Sequence, residues 1–89
     1  GKLLVRGRGA AALLDRVCAN RIGELTYTPM LNRKGGYESD VTVQRWSDEE
    51  YLVVTGSAQP VRDRAWLLRN KLEGEDVAVD DVTERWSVI

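Results

Sequence analysis

The stretch "YTPMLNRKGGYESD", residues 27–40, has the pattern of a β-hairpin. Two adjacent glycines supply the positive φ angles that a tight turn requires. Strand-like segments flank this turn, at residues 24–31 and residues 37–46. The return strand carries Asp40 in a segment that should be regular and half-buried, although aspartate is a poor strand former. The hairpin therefore predicts an antiparallel sheet and raises the question of what Asp40 does.

Alternation with a period of two divides the return strand into two faces. Val41 and Val43 share one face, and the opposite face carries Glu38, Asp40, Thr42, Gln44 and Trp46. Such a polar face is typical either of a solvated sheet surface or of a pocket lining. Spacing alone favours the solvated surface, whereas Trp46 fits a half-apolar ligand groove better than open water.

The hairpin register decides whether Tyr27 and Asp40 can act together. A four-residue loop would place Leu31 opposite Gly36 and Tyr27 directly opposite Asp40, with both side chains on one face. A three-residue loop would turn them to opposite faces, because a one-residue slip flips a strand. The sequence leaves both registers open. Pro29 cannot donate to a sheet ladder, so the first strand is predicted to be an edge strand or to be interrupted there.

The rest of the chain alternates strands and helices around the hairpin. Patterning predicts strands at residues 2–7, 51–56 and 76–83, a further strand beginning at 85–89, and helices at 9–19 and 60–72. The order β-α-β-β-β-α-β-β predicts an α+β fold, with two helices on one face of a mostly antiparallel sheet. In the second helix we expect an apolar stripe of Val61, Ala65, Leu68 and Leu72, widened by Trp66 and Leu67.

Composition excludes several classes of function. The 89 residues fit one domain, and the net charge of −1 argues against a strong nucleic-acid footprint. The single cysteine, Cys18, allows no internal disulfide and signals no metal cluster, which suits a reducing compartment. Histidine is absent, which removes the usual general base and the commonest metal ligand. No apolar run approaches the about 20 residues of a membrane-spanning helix. We therefore expect no metal, nucleic-acid or membrane partner.

Several other residues are better explained by structure than by chemistry. Cys18 and Trp66 are expected in the core, and the glycine pair at 35 and 36 is expected to shape a turn rather than to hold a phosphate. Arg62, Arg64 and Arg69 are expected on a solvated helix face, with contact to a missing part of the chain or to an anionic ligand tail as the alternative.

The run "YTPMLNRKGGYESDVTVQR", residues 27–45, resembles the folate-binding aminomethyltransferase family. That family includes the glycine-cleavage T-protein and the C-terminal regions of dimethylglycine and sarcosine dehydrogenases. The likeness extends to "GKLLVRGRGAAALLDRVCAN" and "YLVVTGSAQPVRDRAWLL", which look like the family's opening strand and helix and its later strand and helix. "ESD" at 38–40 is closer to the dehydrogenase branch than to T-proteins, which usually show two adjacent aspartates there.

The resemblance implies a site as well as a fold. Tetrahydrofolate would bind in a central cavity, with Asp40 as base or electrostatic partner while a one-carbon unit passes to folate and gives 5,10-methylenetetrahydrofolate. Tyr27, Thr42 and the backbone of Val54 would contact the ligand. The remaining family site residues would lie beyond residue 89, so we expect residues 1–89 to be the N-terminal part of a longer folate-binding domain, inactive alone.

The resemblance also implies partners. The parent would be a dimethylglycine or sarcosine dehydrogenase-like enzyme, with FAD in an upstream domain and a small N-methylated amine or aminomethyl donor as substrate. Its expected location is the cytoplasm, with the mitochondrial matrix as the alternative. Two other functions remain open: a non-catalytic regulatory module that binds folate or protein, and an unrelated ferredoxin-like interaction module. The last would leave Asp40 exposed and Tyr27 on the opposite face.

Overall fold

A computed structural model describes residues 1–31, 37–55 and 60–84 of the chain. The elements are β1 (Lys2–Arg6), α1 (Ala10–Val17), β2 (Leu25–Leu31), β3 (Tyr37–Ser47), β4 (Glu50–Thr55), α2 (Pro60–Arg69) and β5 (Ala78–Asp81). The five strands form one sheet in the order β2-β3-β4-β1-β5, and every neighbouring pair is antiparallel. This confirms the predicted α+β fold. The predicted turn at residues 32–36 and the strand predicted to begin at 85–89 lie outside the described residues.

Both helices contribute to one apolar core on the same side of the sheet. Helix α1 buries its regularly spaced apolar residues there, and α2 adds Leu67. The core comprises Leu3, Val5, Ala10, Leu13, Leu14, Val17, Cys18, Met30, Val41, Val43, Tyr51, Val53, Leu67 and Val79. Each fully buried large apolar side chain contributes about 1.5–3 kcal/mol relative to exposure. The alternating valines of β3 enter this core, as their period predicts.

Helix α1 ends earlier than its apolar pattern predicts. Cys18 adopts an extended backbone with ψ 139°, while its N–H still donates to the Leu14 carbonyl at 2.9 Å. Cys18 then forms an isolated antiparallel bridge with Met30 of β2. Cys18 is buried, and desolvation raises the pKa of its thiol to about 12. This cysteine is therefore a packing residue, as expected from the sequence.

Helix α2 buries only part of the apolar stripe predicted for it. Leu67 is fully buried and Trp66 and Leu68 pack against the core, as predicted. The prediction is wrong for Val61, which is 75% exposed, for Ala65, which is exposed, and for Leu72, which is 57% exposed and lies beyond the end of the helix at Arg69. Asp63, one turn before Leu67, is only 3% exposed. The helix is therefore rotated so that the Asp63 and Leu67 side faces the sheet.

Contacts with β5 account for this rotation. The Arg64 Nε donates to the backbone carbonyl of Val79 at 2.7 Å, which fixes the helix against the edge strand. The helix stops because Asn70 Nδ2 turns back and donates to the Trp66 carbonyl at 2.8 Å. Trp66 packs against the core, as predicted, and is partly buried. Apolar spacing alone cannot foresee an anchor made by an arginine to a distant backbone carbonyl.

The loop between α2 and β5 is held to the end of α1 by a two-pronged ion pair. Arg16 Nη1 donates to Glu75 Oε2 at 2.9 Å, and Nη2 contacts the other carboxylate oxygen. The same guanidinium donates to the Asn70 carbonyl at 3.2 Å. The Arg16 hydrogen bonds are the main cause that lowers the pKa of Glu75.

Gly7 joins β1 to α1 at a point where no side chain fits. Its φ is +127°, and an added Cβ would lie 2.2 Å from the backbone carbonyl oxygen of Asp76. Its N–H donates to the Glu49 carbonyl at 2.9 Å. This glycine therefore permits the close approach of the loop before β5. In the part of the chain that the structure describes, no helix has the length and apolar character needed to cross a membrane.

Candidate functional site on the helix-free side of the hairpin

The side of the sheet opposite the helices carries the four residues that the sequence selected. Strand order places β3 between β2 and β4, and β2 is an edge strand, as Pro29 predicts. Tyr27 lies on β2, Asp40 and Thr42 lie on β3, and Val54 lies on β4. We call these four residues the Asp40 patch.

The register brings the patch together across three strands. Thr42 pairs with Tyr27 on one side and with Val54 on the other, so the three residues form a row. Asp40 pairs with Pro29 and points to the same face as Thr42, two residues away along β3. Tyr27 and Asp40 are therefore diagonal neighbours, a separation that an aromatic side chain can bridge.

The register differs from both alternatives left open by the sequence. Tyr27 is not directly opposite Asp40, because the pairing is displaced by two residues from that arrangement. The register of the β2–β3 pair shifts at a bulge between Met30 and Leu31. A displacement of two residues preserves the face of every side chain, whereas a displacement of one would reverse it. Tyr27 and Asp40 consequently share one face, which excludes the arrangement expected for the unrelated interaction module.

The Asp40 carboxylate also affects the Tyr27 hydroxyl. Interaction with this carboxylate, as a hydrogen-bond acceptor and as a negative charge, raises the pKa of Tyr27. The phenol therefore remains a donor throughout the neutral pH range. Tyr27 is 65% exposed, while Asp40 is half-buried. The pair therefore presents a half-buried carboxylate beside a phenol at an accessible surface.

Residues that the sequence did not select flank the patch. Gln44, on the Asp40 side of β3, pairs with Leu25 of β2 and Leu52 of β4. Trp46 Nε1 donates to Gln44 Oε1 at 3.0 Å, which holds the indole beside the patch. Leu25 and Trp46 are exposed apolar side chains. The period-two signal that placed Asp40 and Trp46 on one face would also have found Gln44, and the period of β2 would have found Leu25.

The patch joins one carboxylate to a phenol, a hydroxyl and an apolar border. A carboxylate can accept a proton from an amine or stabilise positive charge that develops on nitrogen. Val54 and Thr42 are half-buried, so solvent reaches the centre of the patch only in part. Among residues 1–31, 37–55 and 60–84, no group of metal-ligating side chains is present that could hold an ion. The described arrangement thus offers a carboxylate and two hydroxyl groups beside apolar side chains at one surface.

A cavity elsewhere in the fold is a weaker candidate for the functional site. About 600 Å³ of space opens where the β3–β4 turn meets the loop before β5. Its lining comprises Arg6, Gly7, Ser47, Asp48, Glu49, Glu50, Asp76 and Ala78. Ligand pockets usually carry only a few polar groups, whereas four of the eight residues that line this cavity are acidic. None of the patch residues lines it.

Comparison with known proteins identifies the family. Residues 1–89 match the protein-family model described as the GCVT N-terminal domain. The chain belongs to the GCVT N-terminal domain family. This family comprises the folate-binding domains of aminomethyltransferases and dimethylglycine dehydrogenases, which confirms the resemblance seen in the hairpin sequence.

Individual relatives come from both branches. The chain is 31% identical over 93 residues to mitochondrial dimethylglycine dehydrogenase of Rattus norvegicus, with 100% of this chain and 11% of the relative covered. It is 33% identical over 94 residues to aminomethyltransferase of Thermus thermophilus, with 100% of this chain and 27% of the relative covered. The chain thus spans only a small part of the length of these relatives.

A solved structure shows the same fold. The glycine cleavage system aminomethyltransferase T from Bartonella henselae superposes with a TM-score of 0.73 at 22% sequence identity. The match covers 88% of this chain and 23% of that chain. At this identity the likeness supports the fold alone. The five-stranded sheet and two helices therefore correspond to part of the aminomethyltransferase architecture.

Proposed function

We propose that residues 1–89 are the N-terminal part of the folate-binding domain of a tetrahydrofolate-dependent one-carbon transfer enzyme. The product would be 5,10-methylenetetrahydrofolate, and Asp40 would be the catalytic residue. The observation that carries the proposal is the register that places Tyr27, Thr42 and Val54 in one row with Asp40 beside them on the helix-free side of the hairpin. Family membership supplies the ligand class, and the patch supplies a carboxylate with an apolar border.

In this proposal each patch residue has a separate role. Tetrahydrofolate would supply the nitrogen atoms that accept the one-carbon unit. Asp40 would accept a proton from an amine nitrogen and offset positive charge on nitrogen, a task that needs no histidine. Tyr27 would be a positioning residue, because it lies diagonally across from Asp40 on the same face and interacts with its carboxylate. Thr42 and Val54 would contact the ligand from the middle of the sheet, next to Tyr27 in the ladder.

We further propose that the parent belongs to the dehydrogenase branch. Ser39 stands where T-proteins usually carry an additional aspartate, and this supports a dimethylglycine or sarcosine dehydrogenase-like protein. Such a parent would oxidise a small N-methylated amine with FAD in an upstream domain and would work in the cytoplasm or the mitochondrial matrix. Relatives at 31% identity are named dimethylglycine dehydrogenase, whereas relatives at 33% and 35% are named aminomethyltransferase. Overall identity therefore does not separate the branches.

The test is Asp40→Ala in the full-length parent. We expect 5,10-methylenetetrahydrofolate formation to fall by about 10²–10⁴-fold, the range typical of a lost general base. Amine oxidation by a flavin domain should remain nearly unchanged, because that reaction would not use the patch. Asp15→Ala is the matched control, since Asp15 is an exposed aspartate on α1.

Two outcomes would contradict the proposed catalytic function. Unchanged folate product formation in Asp40→Ala would contradict the catalytic role of the patch. Folate binding by the wild-type parent without any product formation would favour the regulatory module instead. The 89-residue chain alone is expected to form no product, because the rest of the proposed site lies outside it.

A further inference from the structure

The outer edge of strand β2 is lined by the segment that follows helix α1. Cys18 forms an isolated antiparallel bridge with Met30, and the Ala19 N–H donates to the Pro29 carbonyl at 3.0 Å. An edge strand presents backbone groups that no neighbouring strand pairs. The segment after α1 therefore supplies hydrogen-bond partners to β2 on the side away from β3.

Asn20, the next residue of this segment, contacts β2 at two points. Its N–H donates to Thr28 Oγ1 at 2.9 Å, and its side-chain Nδ2 donates to the Tyr27 carbonyl at 3.0 Å. Thr28 is fully buried, so the first bond ties Asn20 to a fixed part of the core. Asn20 itself is exposed, so packing does not account for its side chain. The second bond falls on a residue of the Asp40 patch.

The Tyr27 carbonyl points away from β3, so the Tyr27 backbone depends on this outer partner. The Glu24 carbonyl accepts the Arg45 N–H of β3 at 2.9 Å, and successive residues of an antiparallel strand direct their carbonyls to alternate edges. Tyr27, three residues after Glu24, therefore faces the outer edge, where Asn20 donates to it. Tyr27 and Thr42 are consequently a non-hydrogen-bonded pair of the ladder, the kind in which facing side chains lie closest.

We propose that Asn20 is a positioning residue of the Asp40 patch, whose amide holds the Tyr27 backbone at the sheet edge and keeps the phenol diagonally across from Asp40. A backbone carbonyl only accepts hydrogen bonds, so the Asn20 amide turns Nδ2 rather than Oδ1 toward Tyr27. This role rests on the one-carbon transfer proposed for the patch. It extends the site to a residue outside the sheet, on the segment that leaves α1.

A single hydrogen bond at this place matters more to the rate than to the fold. Displacement of a group at a reacting centre by about 1 Å costs about 10²-fold in rate. Catalytic side chains therefore need supporting contacts that fix their geometry. Tyr27 lies on an edge strand and is largely exposed, so core packing does not fix its side chain. Asn20 supplies the missing restraint.

Tyrosine NMR of the chain tests the placement of Tyr27. Tyr27→Phe assigns its signal among the three tyrosines, and ¹³C-tyrosine labelling follows its titration. The Asp40 carboxylate raises the pKa of Tyr27, so Asn20→Leu, which removes the amide, should shift that pKa toward its ordinary value of 10. Asn70→Leu is the matched control, because Asn70 Nδ2 donates to the Trp66 carbonyl at 2.8 Å. It should leave the Tyr27 titration unchanged.

The catalytic consequence is measured in the full-length parent as kcat/KM for tetrahydrofolate. Asn20→Leu should lower kcat/KM at least about tenfold, whereas Asn70→Leu should leave it unchanged. In a Tyr27→Ala background, Asn20→Leu should cause almost no further loss, because its effect passes through Tyr27. A merely structural role would lower kcat/KM equally in both backgrounds, and that result would overturn the proposal. Both leucine variants should unfold at similar temperatures, which excludes unfolding as the cause.

The outcomes distinguish failure of Asn20 positioning from failure of the proposed function. If Asp40→Ala lowers product formation while Asn20→Leu behaves like Asn70→Leu, the patch is catalytic and the positioning role of Asn20 is wrong. If Asp40→Ala has no effect, the one-carbon transfer at the patch fails and the catalytic role of Asn20 fails with it. An unchanged Tyr27 titration in Asn20→Leu would contradict the placement itself, whatever the activity.

Discussion

The two sides of the β2–β3 hairpin are built from alternate residues of the same strands and have opposite characters. On the helix side, Thr28 and Met30 of β2 are fully buried. On the other side, Tyr27 is largely exposed and lies diagonally across from the half-buried Asp40, whose carboxylate raises the pKa of Tyr27. Neighbouring residues face opposite ways, so stability and chemistry can be encoded independently in one strand. We therefore expect a substitution on the helix side to change stability with little effect on the chemistry of the opposite side, and the reverse for a substitution on that side.

The largest effect on stability is expected from Met30→Ala. Met30 is fully buried in the core, and deletion of such a side chain costs about 2–5 kcal/mol through lost burial and a residual cavity. The free energy of unfolding, measured by urea denaturation, would report it. Tyr27→Phe, on the opposite side of the same strand, should stay within about 0.5 kcal/mol of wild type. Equal losses of unfolding free energy in both variants would contradict the independence of the two sides.

A smaller loss is expected from Gly7→Ala, which touches neither side of the hairpin. The new Cβ would meet the Asp76 carbonyl oxygen, and the positive φ is itself strained for alanine, a strain of about 1–3 kcal/mol before the clash. Gly74→Ala is the matched control, because φ there is +78° but nothing lies within 4 Å of the added Cβ. Thermal unfolding of the two variants compares strain plus clash with strain alone. A Gly74 variant as unstable as the Gly7 variant would contradict the close approach at Asp76.

We expect acid to weaken the ion pair between Arg16 of α1 and Glu75 in the loop before β5. The backbone pairing of β2 with β3 should remain. Arg16 lowers the pKa of Glu75 below its ordinary 4.5. A lowered pKa stabilises the fold above the ordinary value, and that contribution disappears as pH falls from 4.5 through the folded value. The measurement is the unfolding free energy between pH 7 and pH 3 for wild type and Arg16→Gln. The unfolding free energy of the variant should decline less steeply as the pH falls. Identical slopes in the two proteins would contradict a stabilising contribution from the Arg16–Glu75 ion pair.

The smallest effect concerns the ionisation of Tyr27. The Asp40 carboxylate raises the pKa of Tyr27 above 10, so this pair stabilises the fold below pH 10 and loses its contribution as pH rises through the folded value. In Asp40→Asn the Tyr27 titration, followed by ¹³C-tyrosine NMR, should move back toward 10. A Tyr27 titration unaffected by Asp40→Asn would contradict an interaction between the Tyr27 hydroxyl and the Asp40 carboxylate.

The sequence predicted the hairpin better than it predicted helix α2, for a physical reason. In a strand only two faces exist, so Asp40, Thr42 and Tyr27 kept their shared face although the register moved by two residues. A helix can rotate continuously about its axis, so spacing alone did not predict that Val61 and Leu72 of the expected stripe would be exposed while Asp63 is buried. The four selected patch residues lie together, whereas the burial of Asp63 and the contact of Arg64 with the Val79 carbonyl depend on long-range packing that local patterns do not encode.

The measurement that tests the central claim most directly is a double-mutant cycle on Tyr27 and Asp40 in the full-length parent. The four proteins are wild type, Tyr27→Phe, Asp40→Asn and the double variant, each assayed for the rate of 5,10-methylenetetrahydrofolate formation. If Tyr27 acts by positioning Asp40, its removal should slow the wild-type enzyme and have almost no further effect once Asp40 is asparagine. Independent, multiplicative losses would contradict a joint role for the pair, and full activity in all four proteins would contradict the site itself.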